Sequence, residues 1–118
     1  MGYQSIGVVG LRHSNFRSVE RAFNFLGLSV QIVTDKSSLA KLTHIVVPGV
    51  AAFGTVVSEL KEMNLFQDIR DLYGSKIKVL GLCAGMQIMG HSSVESPGHF
   101  GFSWFDWQCS PFLSEGLS

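Results

Sequence analysis

The sequence lacks the features of secreted, membrane and nucleic-acid-binding proteins. Its 118 residues include only two cysteines, Cys83 and Cys109, which are too few for a disulfide framework. No apolar run approaches the ~20 residues that a membrane-spanning helix needs, and no basic segment followed by an apolar core marks a secretory signal. Lysine plus arginine equals aspartate plus glutamate, so no net charge favours nucleic acid or an anionic membrane. We therefore expect a cytoplasmic protein with neither nucleic acid nor membrane as a partner.

The chain does have a globular composition and a regular alternation of apolar segments. Hydrophobic residues make up 46% of it and charged residues 15%, and no repeat or low-complexity linker divides it, so we expect a single domain over residues 1–118. Asn15 or Ser14 can cap the first helix, and Gly27 can end it. Apolar runs typical of strands alternate with segments of helical periodicity. The strands are expected at residues 5–10, 28–33, 44–47 and 77–82, and the helices at 16–26, from a cap at Thr55, at 66–73 and at 84–91, with a helical turn at 37–42.

This alternation predicts a parallel sheet covered by helices on both faces. In such sheets the functional groups lie at the carboxyl ends of the strands, where the loops at residues 10–15, 48–54 and 81–85 meet. The pattern changes after residue 92. There we expect a loop at 92–98, an aromatic-rich strand at 100–107 and no clear element at 111–118.

The strongest local signal is Gly81-Leu82-Cys83-Ala84-Gly85, between an apolar strand and a helix. It is typical of a nucleophile elbow, a sharp turn that holds the nucleophile clear of the sheet. The glycines relieve crowding in the turn, and the positive end of the helix favours a thiolate. The alternative is an inert buried cysteine, because cysteine is among the residues most often buried. The flanking glycines favour the nucleophile.

A second loop at the same edge begins with Pro48-Gly49, after the third strand. Such a turn can direct the backbone N–H of Val50 toward the point that the Ala84 N–H faces. Two convergent amides form an oxyanion hole, in which one donor contributes ~3 kcal/mol of transition-state stabilisation. Taken alone, the segment would favour an ordinary loop between a strand and a helix.

Together these segments resemble the class I glutamine amidotransferases, and more narrowly the glutaminase subunits of imidazole glycerol phosphate synthase. The resemblance covers roughly residues 4–107 and rests on three motifs in the family's order and spacing. The cysteine motif alone indicates only class I, whereas the other two favour the histidine-pathway subfamily or its paralogues in surface-polysaccharide sugar synthesis. The motifs are Asn15-Phe16-Arg17-Ser18-Val19, Pro48-Gly49-Val50 with Phe53, and Gly81-Leu82-Cys83-Ala84-Gly85-Met86-Gln87.

The resemblance implies a flavodoxin-like, doubly wound, mostly parallel sheet of the class I amidotransferase type, incomplete at the C-terminus. It implies that Cys83 attacks the side-chain amide of glutamine while the Val50 and Ala84 amides hold the oxyanion. In the family the released ammonia passes through a tunnel into a (β/α)8-barrel cyclase subunit, which makes imidazole glycerol phosphate. No cofactor or metal is implied. The residues that stand where the family contacts glutamine are Gly49, Gln87 and Glu95, although Gln87 also fits a helix-surface amide and Glu95 a solvated loop carboxylate.

The sequence departs from the family in the groups that activate the nucleophile. The family uses a histidine base and an orienting glutamate close together near its C-terminus, and no His-x-Glu pair occurs here. His13 is the only histidine expected at the reactive edge, since His91 would lie ~12 Å from Cys83 along the helix. Ala51 stands where the family prefers glycine and would be costly if its φ were positive. The first loop, usually rich in glycine, is 11–14 here and has none.

Three hypotheses remain open at this stage. The chain is a glutaminase completed by residues outside this sequence, or a truncated, non-catalytic homologue with a binding role, or an unrelated flavodoxin-like binding module. We expect little or no glutaminase activity from the chain alone. Missing C-terminal strands would leave one side of the sheet and the aromatic residues after position 100 without cover, so we also expect marginal stability or aggregation.

Overall fold

Four short parallel strands form the central sheet, close to the positions that the sequence predicts. The structure, a computed structural model, describes residues 4–110, and residues 111–118, for which no clear element was expected, lie outside that range. The strands are β1 (Ile6–Val9), β2 (Val30–Val33), β3 (His44–Val47) and β4 (Lys78–Gly81). Their order is β2-β1-β3-β4, and every neighbouring pair is parallel. The predicted α/β class is therefore confirmed.

Helices lie on both faces of this sheet. They are α1 (Phe16–Phe25), α2 (Phe53–Glu62), α3 (Phe66–Arg70) and α4 (Ala84–Gln87), with a 3-10 turn at Lys36–Leu39. The prediction that Thr55 caps the second helix is wrong, since α2 begins directly after Ala52. Within residues 4–110, no helix combines the length and the apolar character needed to cross a membrane.

The end of α1 follows the prediction. Gly27 has a φ of 83°, and the N–H of Leu28 donates to the carbonyl of Phe23 at 2.9 Å, which is the six-to-one hydrogen bond that closes a helix on a left-handed residue. At the other end, Asn15 occupies the cap position, but its side chain makes no capping hydrogen bond. The predicted start and stop of this helix are correct, although the capping interaction is absent.

The helix after Cys83 is shorter than predicted: it ends at Gln87 and not at His91. The carbonyl of Ile88 accepts a hydrogen bond from the N–H of Phe102 at 2.6 Å, and that of Met89 accepts one from Trp104 at 2.9 Å. These carbonyls bond a distant segment instead of continuing the helical ladder.

The segment at 100–107 is that distant segment, and the prediction that it forms a strand is wrong. It is irregular apart from one bridge to Ser92, and strand pairing resumes only where β6 (Gln108–Cys109) runs parallel to β5 (Ser92–Ser93). Its aromatic side chains pack on one another. Phe102 is 1% exposed, with its ring 4.8 Å from that of Trp104, centroid to centroid.

The two faces of the sheet are buried to very different extents. On one face, α2, α3 and α4 cover a large core that includes Val9, Val33, Ile45 and Val47. On the other face, among residues 4–110, the buried apolar cluster consists of Ile6, Val8 and Val46, and the apolar residues of α1 that pack against them are partly exposed. The sheet therefore has one complete apolar layer and one partial layer.

Candidate active site

Cys83 lies at a sharp reversal between β4 and α4. Its φ is 54° and its ψ is −119°, a conformation that L-residues adopt at a cost and that is concentrated at functional sites. The residue is exposed rather than buried in the core. The backbone thus presents the Cys83 side chain to solvent at the carboxyl edge of the sheet.

The spacing of the glycines around Cys83 follows from close backbone approaches. A Cβ at Gly81 would lie 2.6 Å from the carbonyl oxygen of Gly85, and a Cβ at Gly85 would lie 1.8 Å from the carbonyl oxygen of Val47. Both distances are far below van der Waals contact with backbone atoms that cannot move aside. Glycine at both positions is therefore a requirement of this turn.

The loop after β3 lies against the cysteine turn. A Cβ at Gly49 would be 3.0 Å from the backbone nitrogen of Gly85 and 3.1 Å from the Cβ of Ala84. In this arrangement the Ala84 N–H donates to the Gly49 carbonyl at 3.1 Å. None of the described peptides is cis, so the N–H of Val50, on the same peptide plane, points away from Ala84. The two amides expected to converge do not do so in this conformation.

Ala51 adds no left-handed backbone strain. The non-glycine residues with positive φ in residues 4–110 are Asn64, Cys83 and Ser103. The loop therefore accommodates alanine at position 51 in an ordinary conformation.

Gln87 and Glu95 occupy different surroundings. Gln87 is the last residue of α4, where its N–H donates to the Cys83 carbonyl at 3.1 Å. Glu95 is exposed and lines an open cavity of about 430 Å³ beside the N-terminus of α2. The cavity contacts Ala52, just before α2, and Gly54 in its first turn, but its lining includes neither Cys83 nor Gln87.

None of the four histidines, all of which lie in the described range, forms a hydrogen bond with Cys83. His13 is exposed in the loop after β1, and only its backbone N–H is engaged, with Glu59 at 3.5 Å. His44 begins β3, at the edge of the sheet opposite Cys83, and its ring contacts Thr43 Oγ1 at 2.8 Å. The ring of His91 packs on Phe100, and His99 lies against Gly54.

Glu59 is a buried carboxylate that the sequence analysis did not single out. It is 3% exposed on α2, and its carboxylate accepts the backbone N–H of Arg12 and contacts the Arg12 guanidinium at 3.5 Å. It thereby connects the loop after β1 to α2. The sequence did contain a signal for this contact, because Glu59 lies beside Val56 and Leu60 on the apolar side of the predicted helix. A carboxylate buried there needs a partner.

The two cysteines are expected to differ in reactivity. Cys83 is exposed, whereas Cys109 is partly buried and its Sγ lies 3.8 Å from the Gln87 carbonyl. Burial raises the pKa of the Cys109 thiol, which lowers its thiolate fraction near neutral pH. We expect iodoacetamide to modify Cys83 first, as followed by peptide mass spectrometry. Cys83→Ser should leave only slow labelling and Cys109→Ser should retain the fast reaction; first labelling at Cys109 would contradict the prediction.

Known proteins share this sequence pattern and this fold. The family model for the CobB/CobQ-like glutamine amidotransferase domain matches residues 6–106. The HisH subunit of imidazole glycerol phosphate synthase from Maridesulfovibrio salexigens is 36% identical over 117 residues, which cover 90% of this chain and 55% of the relative. The HisH subunit from Methanopyrus kandleri is 36% identical over 104 residues, covering 88% and 52%. A solved structure described as a crystal structure of glutamine amidotransferase has a TM-score of 0.76 at 23% identity, covering 89% of this chain and 55% of that chain.

The matches cover most of this chain but only part of each relative. The chain spans about half the length of the curated relatives it matches. The family match, however, includes all four strands of the central sheet, the cysteine turn and the loop packed against it. This chain belongs to the glutamine amidotransferase family.

Proposed function

We propose that this chain is the nucleophile-bearing part of a glutaminase that supplies ammonia to a synthase. The observation that supports the proposal most directly is the strained, exposed conformation of Cys83 at the carboxyl edge of a parallel sheet. A cysteine retained only for packing has no need of a positive φ, of solvent exposure, or of glycines two residues away on both sides.

The proposed chemistry is acyl transfer. The Cys83 thiolate attacks the side-chain carbonyl carbon of glutamine, and the carbonyl oxygen becomes an oxyanion. The tetrahedral intermediate collapses as the C–N bond breaks, and the amide nitrogen leaves as ammonia after it gains a proton. Water then attacks the glutamyl thioester, which releases glutamate and restores the thiol.

An oxyanion hole in this site requires a local rearrangement. The Ala84 N–H is engaged by the Gly49 carbonyl at 3.1 Å and is not free for an oxyanion. Rotation of the Gly49–Val50 peptide by about half a turn would withdraw that carbonyl and bring in the Val50 N–H. We assign Val50 and Ala84 to the oxyanion on this basis, with Gly49 as the pivot that permits the rotation.

The proton transfers need a base that the described residues do not provide at Cys83. In the family this base is a histidine held by a glutamate near the C-terminus, and the relatives extend well beyond the length that this chain spans. We propose that the base is supplied by a part of the domain outside this sequence. Gln87 and Glu95 are assigned to glutamine binding by the same family resemblance.

The relatives support one class of protein as the proposed partner. They include HisH subunits of imidazole glycerol phosphate synthase from Maridesulfovibrio salexigens, Rhodopirellula baltica and Methanopyrus kandleri. We propose a (β/α)8-barrel cyclase subunit as the recipient of ammonia, in cytoplasmic histidine biosynthesis. A paralogue that amidates surface-polysaccharide sugars is the alternative within the same chemistry.

A non-catalytic homologue is the second candidate. It is favoured by the blocked Ala84 N–H and by the absence of any histidine hydrogen bond to Cys83 within residues 4–110. In that case the chain would retain the fold and bind glutamine or a partner without turnover.

Glutamate release from glutamine distinguishes these candidates. We would assay the chain alone, the chain with the separately produced remainder of the Maridesulfovibrio salexigens HisH subunit, and this mixture with its cyclase subunit. We expect little or no release from the chain alone, because no described base can accept the thiol proton, and measurable release from an assembled mixture.

The matched controls are Cys83→Ala, which should abolish release, and Cys109→Ala, which should not. Turnover by the isolated chain at ~1 s⁻¹ or faster, within the usual range for enzymes, would show that the proposed division of the site is wrong. An assembled mixture without turnover would favour the non-catalytic homologue.

A further inference from the structure

The first turn of α2 takes its capping hydrogen bond from a segment that is distant in sequence. A helix leaves its first N–H groups without partners of its own, and a polar side chain at the cap position normally accepts one of them. Ala52 occupies the cap position here, and its methyl group cannot accept a hydrogen bond. The Gly54 N–H donates instead to Ser96 Oγ at 2.9 Å, in a buried hydrogen bond. Ser96 therefore caps α2 from a position 42 residues further along the chain.

The segment that carries Ser96 also packs closely on this turn. A Cβ at Gly54 would lie 2.9 Å from Cδ2 of the His99 ring and 3.1 Å from the Cβ of Ser96. A side chain at position 54 would therefore push the segment away and lengthen the hydrogen bond. Ser96 is only 9% exposed, so water is a poor alternative partner for its hydroxyl. The hydrogen bond and the close contact together hold the two segments in one arrangement.

Ser96 ends a short turn that presents Glu95. The Ser96 N–H donates to the Ser93 carbonyl at 3.1 Å, and the Glu95 N–H donates to Ser93 Oγ at 3.3 Å. The Val94 N–H donates to the Cys109 carbonyl at 2.9 Å, which joins the turn to β6. The Glu95 side chain is exposed and lines the cavity of about 430 Å³ beside α2. The place of Glu95 relative to α2 is therefore fixed through the residue that follows it.

The other end of this connection lies next to the peptide on which the proposed oxyanion hole depends. α2 begins directly after the loop at residues 48–52, which contains the Gly49–Val50 peptide. The hydrogen bond at Gly54 lies in the first turn after that loop. It therefore connects the loop to the turn that carries Glu95.

We propose that Ser96 is a positioning residue, which holds the turn carrying Glu95 in a fixed place relative to the loop at residues 48–52. The inference rests on the proposed function, in which Glu95 binds glutamine and the Gly49–Val50 peptide serves the oxyanion. Through Ser96, the carboxylate that binds the substrate and the peptide that stabilises the reacting oxygen keep a constant separation. Ser96 does not touch glutamine in this role, because it acts through the backbone of α2 and of its own turn.

Two variants separate the stability of α2 from the placement of Glu95. Ser96→Ala removes the hydroxyl, and Ser96→Ala combined with Ala52→Ser moves a hydroxyl to the ordinary cap position. Ala52 is exposed and has φ −65° and ψ 155°, an extended conformation in which a serine can cap α2 locally. In urea denaturation, the double variant should regain the free energy of unfolding that Ser96→Ala loses. It should not regain the connection to the turn at residues 93–96.

Glutamine recognition is measured with the chloromethyl ketone analogue of L-glutamine, in which a chloromethyl group replaces the amide nitrogen. The Cys83 thiolate displaces chloride from this group and forms a thioether. The labelling rate is divided by that of iodoacetamide, which has no amino-acid part, so the ratio separates recognition from thiol reactivity. We expect the ratio to fall on the order of tenfold in Ser96→Ala and in the double variant alike, while the iodoacetamide rate is unchanged.

Amide hydrogen exchange follows the connection itself. In Ser96→Ala, exchange should be faster on the order of tenfold at residues 53–55 and 93–96. In the double variant it should return to the wild-type rate at residues 53–55 only. Ser75→Ala is the matched control, because the Ser75 hydroxyl accepts the Ile77 N–H at 3.1 Å at the surface and does not line the cavity. It should change neither the labelling ratio nor the exchange at residues 93–96.

The double variant decides between a positioning residue and a cap alone. Recovery of the labelling ratio in that variant, or an unchanged ratio in Ser96→Ala, would overturn the proposal. A wild-type chain that reacts equally with the L-analogue and its D-enantiomer would contradict the proposed function and not the connection through Ser96. The exchange rates then decide: faster exchange at residues 93–96 in the double variant would support the connection, and wild-type exchange there would overturn it.

Discussion

Gly85→Ala is expected to destabilise the chain by about 3 kcal/mol or more, or to prevent folding altogether. The new Cβ would lie 1.8 Å from the carbonyl oxygen of Val47 and 2.7 Å from its carbonyl carbon. Both atoms belong to the backbone of β3, so relief requires moving a central strand or opening the cysteine turn. Urea denaturation followed by circular dichroism gives the free energy of unfolding, or shows the absence of a cooperative transition.

Gly74→Ala is the matched control for this substitution. Gly74 has a φ of 80°, but a Cβ there would meet no atom within 4 Å. The cost should therefore be about 1 kcal/mol, which is the penalty for a side chain in the left-handed region alone. If the two variants lost equal stability, close packing between the cysteine turn and β3 would not be the reason for Gly85.

The same close packing makes this part of the fold predictable from the sequence. The predicted bounds of β3 match the observed ones, because a β-branched apolar run ends there at Pro48-Gly49. The turn at Cys83 is predictable because a glycine two residues before and another two residues after a cysteine, between a strand and a helix, fit a crowded reversal of the chain. A structural element can be predicted from its own residues where those residues allow only one backbone conformation.

An element whose bounds depend on a distant segment cannot be predicted from its own residues. The end of α4 depends on the carbonyls of residues 88 and 89, which accept hydrogen bonds from the N–H groups of residues 102 and 104. No pattern in the residues around α4 indicates this pairing. The orientation of the Gly49–Val50 peptide cannot be predicted from the sequence either, since a Pro-Gly turn can direct either a carbonyl or an N–H toward Ala84. Glu59 could not be predicted from the sequence because its partners, the backbone amides of residues 12 and 13 and the Arg12 guanidinium, lie in a loop that is distant in sequence.

Cys83 is expected to lower the stability of the chain, because its backbone has a positive φ. With φ at 54° and ψ at −119°, the residue lies where glycine is favoured over any side chain. Such strain costs of order 1–3 kcal/mol, against roughly 0.5–1 kcal/mol for the extra flexibility of glycine in the unfolded chain. Cys83→Gly is therefore expected to unfold at higher urea than Cys83→Ala, by about 1 kcal/mol in the free energy of unfolding.

In the assembled domain both variants should lose glutamine hydrolysis by roughly a thousandfold or more, since neither retains a nucleophile. The comparison of glycine with alanine isolates the backbone, because both lack the thiol. At an ordinary helical position the order reverses, and glycine is less stable than alanine by about 1 kcal/mol. If Cys83→Gly proved less stable than Cys83→Ala, the turn would carry no strain, and the strongest support for a nucleophile at this position would be lost.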